Sequence, residues 1–440
     1  DILNKQKQGL VFLTTRRSAE AVAERIGKHI TKLISHEEKK KLRKLSNDIL
    51  TAIPTSTRQC KRLASIIQNG AAFHHAGLVA KQRKLIEDNF RSGLIKILTA
   101  TPTLALGINL PSWRVVIRDV KRYGSYGSEY IPVMEIHQMF GRAGRPDYDD
   151  NGEAIILAKS EQEAENLKEN YIISEPEPIE SKLENETVMR MHILALISSG
   201  LIKNKQDILN FYSRTFYAHQ YETEEINMKI EKTLYQLKKF GFIKTEQKSF
   251  ISDEFVSAID LKLDKELKPT RIGRRISQLY IDPLSAHKII KKLKPMGDIE
   301  HLMTIADCTE MQPLLRLKQN EYEEFAEHID HFGLKSPNIW DIDFKEFAKK
   351  LKTSLMLNDW MNEKTEDNIL EKYGVPPGQL YNKIKNAEWM FYTAKELAII
   401  LNRKQTANRT EGSKDRITTC LLYTSPSPRD LSTSRMPSSA

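Results

Sequence analysis

A short apolar run, residues 95–98, leads directly into the segment TATPTLALGINLPS at residues 99–112. The run IKIL predicts a buried strand, because short and largely apolar segments of this kind are typical of a sheet core. The strand opens into small and hydroxyl-bearing residues, whose backbone N–H groups and hydroxyls can approach a phosphate closely. The residues concerned are Thr99, Thr101, Thr103, Gly107 and Asn109. Taken alone, such a loop is usually only a turn.

A second segment, QMFGRAGRP at residues 138–146, combines an amide, two arginines and two glycines. If residues 134–142 are helical, Gln138 and Arg142 lie four apart on one face. Arg145 then follows just past a glycine that ends the helix. Two guanidiniums and an amide aimed at one point suit a polyphosphate whose charge grows during phosphoryl transfer. Taken alone, the segment could equally be a helix end with solvated arginines.

In this order, with two β-rich runs between them, the two segments resemble motifs V and VI of the second motor domain of a superfamily 2 helicase. Within that superfamily the sequence is similar to the archaeal, Hel-type DNA-repair helicases of the superkiller-like group, from about residue 8 to about residue 403. The resemblance implies an α/β RecA-like motor domain with a parallel sheet, followed by a winged helix and an all-α helical ratchet bundle. The residues agree with the first part, since two β–α–β-like units lead into the motifs.

We expect four segments. The first is a second RecA-like helicase domain at 1–170, with a hairpin at about 114–133. A linker and winged helix follow at 171–258, then a ratchet at 259–403, and the last segment is a disordered tail at 404–440 that is non-native from about 420. The end of the tail is rich in Ser, Pro and Arg and has no hydrophobic periodicity, which predicts disorder. The resemblance also implies a chain truncated at both ends, without the family's first motor domain and its terminal helix–loop–helix domain.

The overall composition is that of a globular protein with a polyanionic partner. The 440 residues suffice for two to four domains, and the formal net charge of +10 favours nucleic acid. On charge alone, a basic protein without a nucleic-acid role stays open. Three widely spaced cysteines indicate a reducing compartment and no zinc site. No apolar run approaches the length of a membrane span.

Two elements early in the chain point to a nucleic-acid backbone. Residues 9–13 predict a strand, followed by a loop and a helix that Ser18 caps. This unit resembles helicase motif IV, which implies that Arg16 meets the backbone, although Arg16 could be an ordinary solvated residue. Residues 74–78 match the family's HHAGL element, which implies a backbone contact for His75. A metal pair is unfavourable there, because adjacent side chains of a strand point to opposite sides.

Two β-rich runs around a Gly/Ser turn predict the hairpin between the motifs. Arg122 and Tyr123 lie at its tip, and such an aromatic–basic mixture suits a nucleic-acid surface. In the family the hairpin at this position separates the strands of a duplex. A loop that merely connects two strands is the alternative.

Three predicted helices and a short β-rich segment follow a Pro/Glu linker at residues 174–180. The helices span about 186–199, 206–217 and 224–240, and the β-rich segment spans 242–251. This pattern indicates a winged helix, either as a DNA reader or as a brace between motor and ratchet. The pair Asp253-Glu254 imitates a helicase DExx box, but no strand signal precedes it.

The helix after Pro376-Pro377-Gly378 carries a regular apolar stripe with four- and three-residue spacing, from Leu380 to Leu401. Trp389 lies off this stripe and shares a face with Asn382, seven residues or about 700° earlier. A large aromatic on a polar, basic face is a candidate for stacking on bases, unless another helix covers it. The resemblance implies that this Trp stacks on the translocating strand. Asn382 replaces the family's arginine, whereas Trp360 is predicted to be core.

The resemblance assigns roles to these positions. It implies that Gln138, Arg142 and Arg145 are catalytic and that these three bind ATP together with Gly107 and Asn109. It implies no metal ligand. The residues that it assigns to DNA binding are Arg16, His75, Thr99, Thr101, Arg122, Tyr123, Asn382 and Trp389. It implies ATP and Mg²⁺ as cofactors, both held mainly by the first motor domain, because this sequence has neither a GxxxxGK[ST] loop nor an ordered DExx box.

The function implied is an ATP-dependent 3′–5′ DNA helicase acting in repair or at stalled forks. The expected partners are single-stranded and forked DNA and replication or repair proteins, for a monomer at the nucleoid without membrane contact. The chain alone is expected to bind single-stranded DNA without hydrolysing ATP. An RNA helicase of the same group and a non-catalytic winged-helix binder are the alternatives. The absence of a long inserted arch domain disfavours the first, and the intact motif VI disfavours the second.

Overall fold

The computed structural model describes residues 2–53, 56–105, 110–123, 128–144, 149–246, 266–295, 297–317, 321–338 and 341–424. The chain divides into two compact units. The first comprises residues 1–178, 364–382 and 421–440, and the second comprises residues 179–363 and 383–420.

The first unit is built on a five-stranded parallel sheet with the order β2-β3-β1-β4-β7, flanked by helices. Its strands are β1 Gly9–Phe12, β2 Ala71–His74, β3 Ile97–Ala100, β4 Arg114–Ile117 and β7 Glu153–Ile156, and a separate hairpin consists of β5 Lys121–Tyr123 and β6 Ser128–Tyr130. The central strands are buried on both faces, which explains their short, mostly apolar sequences. The predicted RecA-like parallel sheet is confirmed.

In the described part of residues 1–178, the α-helices that accompany this sheet are α1 Arg16–Ile30, α2 His36–Leu50, α3 Arg58–Ile67, α4 Ala80–Arg91, α5 Val133–Phe140 and α6 Glu161–Lys168. The first begins earlier than predicted. Thr15, not Ser18, is its N-cap, because the Thr15 hydroxyl accepts the Ser18 backbone N–H at 3.1 Å. Arg16 is therefore the first helical residue.

The hairpin between the motifs is shorter than expected. Residues 114–117 form β4 inside the main sheet, and only β5 and β6 pair as an antiparallel hairpin. The periodicity of β4 could not distinguish the two arrangements, because both place alternate side chains in an apolar environment.

The second unit contains a winged helix and a helical bundle. The winged helix consists of α7 Glu186–Ser198, α8 Lys205–Tyr212, α9 Phe216–Gln220 and α10 Thr223–Lys239 with β8 Ile243–Glu246 and β9 Glu266–Pro269. The two strands pair antiparallel, so the wing extends beyond the boundary expected at residue 258. The DExx-like pair at 253–254 lies outside the described residues.

The bundle follows directly: α11 Arg271–Leu279, α12 Pro283–Lys291, α13 Asp298–Ala306, α14 Tyr322–His331 and α15 Ile342–Met361. Trp360 is 1% exposed and its indole N–H donates to the Ile417 carbonyl at 3.1 Å, which confirms its predicted core position.

Three further helices complete the described chain: α16 Glu366–Tyr373, α17 Pro377–Ile400 and α18 Lys404–Thr424. The predicted apolar stripe of α17 is buried from Leu380 to Ala398. In the first unit, Gly378 donates its N–H to the Gly77 carbonyl at 3.0 Å. A Cβ at Gly378 would lie 2.4 Å from the Leu78 carbonyl oxygen, so only glycine fits this contact.

The disorder predicted for residues 404–440 is wrong over residues 404–424. These residues form α18, in which Thr406, Thr410, Ser413 and Ile417 are buried. The buried face consists mostly of small polar side chains, which is why the hydrophobic pattern did not reveal it. Residues 425–440 lie outside the described part.

Candidate nucleotide and nucleic-acid site

The two motif segments are joined by backbone hydrogen bonds next to the amino ends of β4 and β7. The Ser112 N–H donates to the Arg142 carbonyl at 2.9 Å, and the Gly144 N–H donates to the Ser112 carbonyl at 2.8 Å. Gly144 has φ +87°, a conformation that favours glycine. The Arg142 guanidinium donates to the Ala105 carbonyl at 2.5 Å, so the arginine of the second motif is held on the loop of the first.

Gln138 lies on α5, which ends at Phe140 and places Arg142 beyond the helix. The sequence suggested that the two side chains share one continuous helix face. The structure shows that they do not, because Arg142 lies after the helix has ended. As assigned, the Gln138 Oε1 atom is buried and accepts no hydrogen bond from the described residues. Such acceptors are uncommon in folded proteins, so this oxygen is available to a hydrogen-bond donor from outside the described residues. Gly107, Asn109 and Arg145 lie outside the described residues.

Two threonines at the end of β3 are buried: Thr99 lies within the strand, and Thr101 is the first residue after it. Thr99 is fully buried, and its hydroxyl donates to the Ala19 carbonyl at 2.8 Å. Direct DNA contact by Thr99 is therefore not supported, because its hydroxyl already closes the packing between strand and helix. Thr101 is 8% exposed, and its hydroxyl shares a 2.9 Å hydrogen bond with Thr103.

His75 is also a buried structural residue. Its Nδ1 accepts the Gly77 N–H at 3.1 Å, which places the ring proton on Nε2, where it faces the Glu20 carboxylate at 3.2 Å. The ring stacks on Phe73 with centroids 5.2 Å apart. Direct DNA contact by the His75 side chain is not supported, because it is 0% exposed.

Glu20 connects His75 to two neighbours on α3. Its carboxylate accepts hydrogen bonds from Gln59 and Arg62, each at 2.7 Å. Burial raises the pKa of Glu20, but the hydrogen bonds from His75 and Gln59 outweigh it and leave the pKa below its ordinary value. Burial lowers the pKa of the nearby Arg16, and the charge of Glu20 partly offsets this effect. Arg16 is half-buried at the start of α1, close to the carboxyl end of β1.

The hairpin carries basic and aromatic side chains, but in a different arrangement from the one predicted. The Arg122 guanidinium is paired with both Glu135 oxygens at 2.9 Å. The Tyr123 side chain and residues 124–127 lie outside the described part. Sequence reasoning missed Tyr130, which is 54% exposed and lies under the Lys121 ammonium at 4.3 Å.

On α17 the polar side follows the prediction. Asn382 and Lys385 are exposed, and Trp389 is half-buried. Asn386 is fixed, since its amide donates to the Glu310 carbonyl at 2.9 Å. Among the described residues, no group of His, Cys, Asp and Glu is arranged to hold a metal ion.

Three family models match the chain in succession. The helicase conserved C-terminal domain matches residues 1–147, a helix-turn-helix domain matches residues 152–244, and domain 4 of archaeal helicases matches residues 299–419. The chain carries helicase domains of the archaeal type.

Curated relatives agree with this identification. The chain is 39% identical to the ATP-dependent DNA helicase Hel308 of Methanococcus vannielii, over 90% of this chain and 56% of that protein. It is 38% identical to the protein of that name from Pyrococcus horikoshii and 36% identical to that from Methanocella arvoryzae, over 92% and 93% of this chain and 54% of each relative. The chain thus spans about half the length of these relatives. None of the described helices is both long and apolar enough to cross a membrane.

Proposed function

We propose that the complete protein is an ATP-dependent DNA helicase that translocates 3′ to 5′ on single strands and acts in repair or at stalled forks. The observation that carries this proposal is the junction of Arg142 with Ala105, together with the buried oxygen of Gln138 in the same motif, which has no partner among the described residues. The Hel308 relatives support the choice of DNA over RNA. We further propose a monomer associated with the nucleoid, with replication or repair proteins as partners.

The nucleotide site would use these motif residues for charge and orientation. Bound ATP with Mg²⁺ supplies the γ-phosphoryl group, and we expect a first motor domain of the complete protein to hold most of both. Arg142 and Arg145 would offer positive charge to the developing transition state, an effect worth roughly 10³–10⁵ in rate for arginine fingers. Gln138 would offer its amide oxygen to the attacking water. Gly107 and Asn109 would lie against the nucleotide.

The single strand would contact one surface in the motor domain and one on α17. In the motor domain the proposed contacts are Arg16, Thr101, Arg122 and Tyr123. His75 and Thr99 are buried and would stabilise the loops that carry these contacts. On α17, Trp389 would stack on a base beside Asn382. The Trp389 indole is half-buried and has no hydrogen bond to another described residue, so its ring is not committed to a polar partner in the fold.

This proposal predicts that the chain binds single-stranded DNA through Trp389. Trp389→Ala should weaken binding of a fluorescent oligonucleotide several-fold, because base–aromatic stacking is worth roughly 1–3 kcal/mol. Anisotropy titrations at several salt concentrations measure it, with Tyr235→Ala as a matched exposed aromatic on α10. If the chain binds no DNA, or if Trp389→Ala has no effect, the stacking role is wrong. Stronger binding of an RNA strand would favour an RNA helicase.

A second measurement concerns catalysis. We expect no appreciable phosphate release from ATP by this chain, with or without single-stranded DNA. In the complete protein, Arg142→Ala should abolish DNA-stimulated hydrolysis while leaving DNA binding intact. Hydrolysis by this chain that disappears with Arg142→Ala would show that the site is complete without a first motor domain.

A further inference from the structure

The polar side of α17 continues beyond Trp389. Tyr392 lies three residues later and Glu396 seven residues later, so all three side chains fall within about 60° of one another around the helix. Tyr392 is 38% exposed, and it lies about 4.5 Å further along the helix axis than Trp389. A second aromatic therefore follows the first on the same side.

Arg275 on α11 organises this end of the surface. Its guanidinium donates to the Glu396 carboxylate at 2.8 Å and to the Tyr392 hydroxyl at 3.3 Å. The same side chain donates to Gln278 at 3.2 Å. Arg275 thus offsets the one acidic charge among these α17 side chains, and it also contacts the Tyr392 hydroxyl.

Two further arginines on α11 carry charge that no described partner offsets. Arg271 lies one turn before Arg275 on the same side of α11, and Arg274 is a neighbour of Arg271 three residues later on the helix surface. Both are exposed, and neither side chain forms a hydrogen bond or ion pair with another described residue. An aromatic followed by two such guanidiniums matches what single strands require, which is a stacking surface followed by phosphate contacts.

We propose that the single-strand track continues from Trp389 over Tyr392 to Arg271 and Arg274 on α11. Tyr392 would stack on the next base, and the two arginines would pair with phosphates. Arg275 would lie beside Tyr392 and screen the charge of Glu396. This inference rests on the proposed function of Trp389 and adds a second stacking position and two phosphate contacts to it.

The aromatic part of the track is tested with two substitutions at one position in the full chain. Tyr392→Leu should weaken binding of oligothymidylate roughly five-fold or more, because the stacking ring is lost. Tyr392→Phe should stay within roughly two-fold of the unmodified chain, because only the hydroxyl is lost while the ring remains. Tyr235→Leu, an aromatic that is 66% exposed on α10, is the control and should have no effect. Equal losses for Leu and Phe would contradict stacking.

The charged part is tested by salt dependence. The double variant Arg271→Gln/Arg274→Gln should reduce the slope of log affinity against log salt by roughly 0.7 for each arginine that contacts a single strand. Lys345→Gln/Lys404→Gln removes two exposed positive charges elsewhere in the bundle and should leave the slope nearly unchanged. The arginine variant should also lose the gain in affinity that longer oligothymidylates give, since the added nucleotides no longer meet α11.

The outcomes separate this inference from the proposed function. If Trp389→Ala weakens binding but the Tyr392 and arginine variants do not, the track ends at Trp389 and the extension is wrong. If none of the variants weakens binding, single-strand contact by α17 is itself wrong. Thermal melting of every variant excludes losses caused by unfolding. An acidic peptide that competes with DNA only when Arg271 and Arg274 are present would also overturn the inference, because it would assign the arginines to a protein partner.

Discussion

His75 shows how a residue in a recognised motif can act without touching the ligand. It lies in HHAGL, next to the loops of the proposed single-strand surface, but its ring is enclosed between Phe73 and the backbone of Gly77. Its Nε2 faces Glu20, which also holds Arg62. We therefore interpret His75 as a support that fixes α1 relative to the HHAGL loop, and this interpretation makes a prediction about stability.

His75→Ala should lower the free energy of unfolding of the motor domain by roughly 2–4 kcal/mol, because it leaves a cavity and an unpaired Gly77 N–H. Chemical denaturation measures it. The neighbouring exposed Arg17 is the control, since Arg17→Ala should change stability by no more than about 0.5 kcal/mol. Unchanged stability together with weakened DNA binding in His75→Ala would instead indicate that His75 contacts DNA directly.

The residue types predicted where the motif segments lie along the chain, but they did not predict which side chains are buried. Small residues after β3 and the pair Gln138 and Arg142 identified the motif junction, because phosphate sites demand those residue types. The sequence could not show that Thr99 and His75 are buried, since their hydrogen bonds run to Ala19 and Glu20, which are 80 and 55 residues distant. Such partners are set by tertiary packing, and local periodicity carries no record of them.

Among the elements of the first unit, α2 is tied by an ion pair to the residue just before β3. The Lys96 ammonium, just before β3, lies 2.6 Å from the Glu38 carboxylate, and Glu38 also completes a capping box with Ser35. The hydrogen bond from Lys96 is the main reason that the pKa of Glu38 is lowered to about 2, with burial opposing it and Ser35 contributing further. The pair therefore links the capping of a helix to the position of a strand.

This pair predicts a pH dependence of stability. Because the folded pKa of Glu38 is about 2 and its ordinary value is 4.5, its contribution is fully present above about pH 4.5 and is lost as the pH falls towards 2. Glu38→Gln should therefore unfold at lower urea concentration than the unmodified chain at pH 6, with a difference that shrinks below pH 4. Glu37→Gln, whose side chain is 81% exposed, should show almost no difference at either pH. A gap that stays constant with pH would disprove the linkage.

Elements with strong periodicity were predicted correctly, and those defined by distant partners were not. The buried stripe of α17 follows from spacing alone. The wing could not be delimited, because β9 is separated from β8 by 19 residues and nothing local marks their pairing. The hairpin was extended too far for the same reason, since the partners of β4 are β1 and β7.

In the molecule as a whole, α18 is a structural element and not a tail. The helix closes the bundle of the second unit: the Ile417 carbonyl accepts the Trp360 indole N–H, and Arg416 pairs with Asp298. It also supports α17, because Lys395 is paired with Glu411. The segment expected to be a tail is thus part of the framework that holds the proposed single-strand track.

A chain ending at Arg403 should therefore be less stable than one ending at Thr424, by at least roughly 3 kcal/mol, because removing α18 uncovers Trp360 and other core residues. Thermal melting measures this, and the tryptophan emission should shift to longer wavelength as Trp360 meets water. The chain ending at Thr424 keeps these contacts, so comparing it with the full chain controls for the loss of residues 425–440. Single-strand affinity should fall with the first truncation even at a temperature where that chain is folded, because α17 loses its neighbour. Equal melting temperatures and equal affinities would mean that α18 is dispensable and that α17 is held by the rest of the bundle.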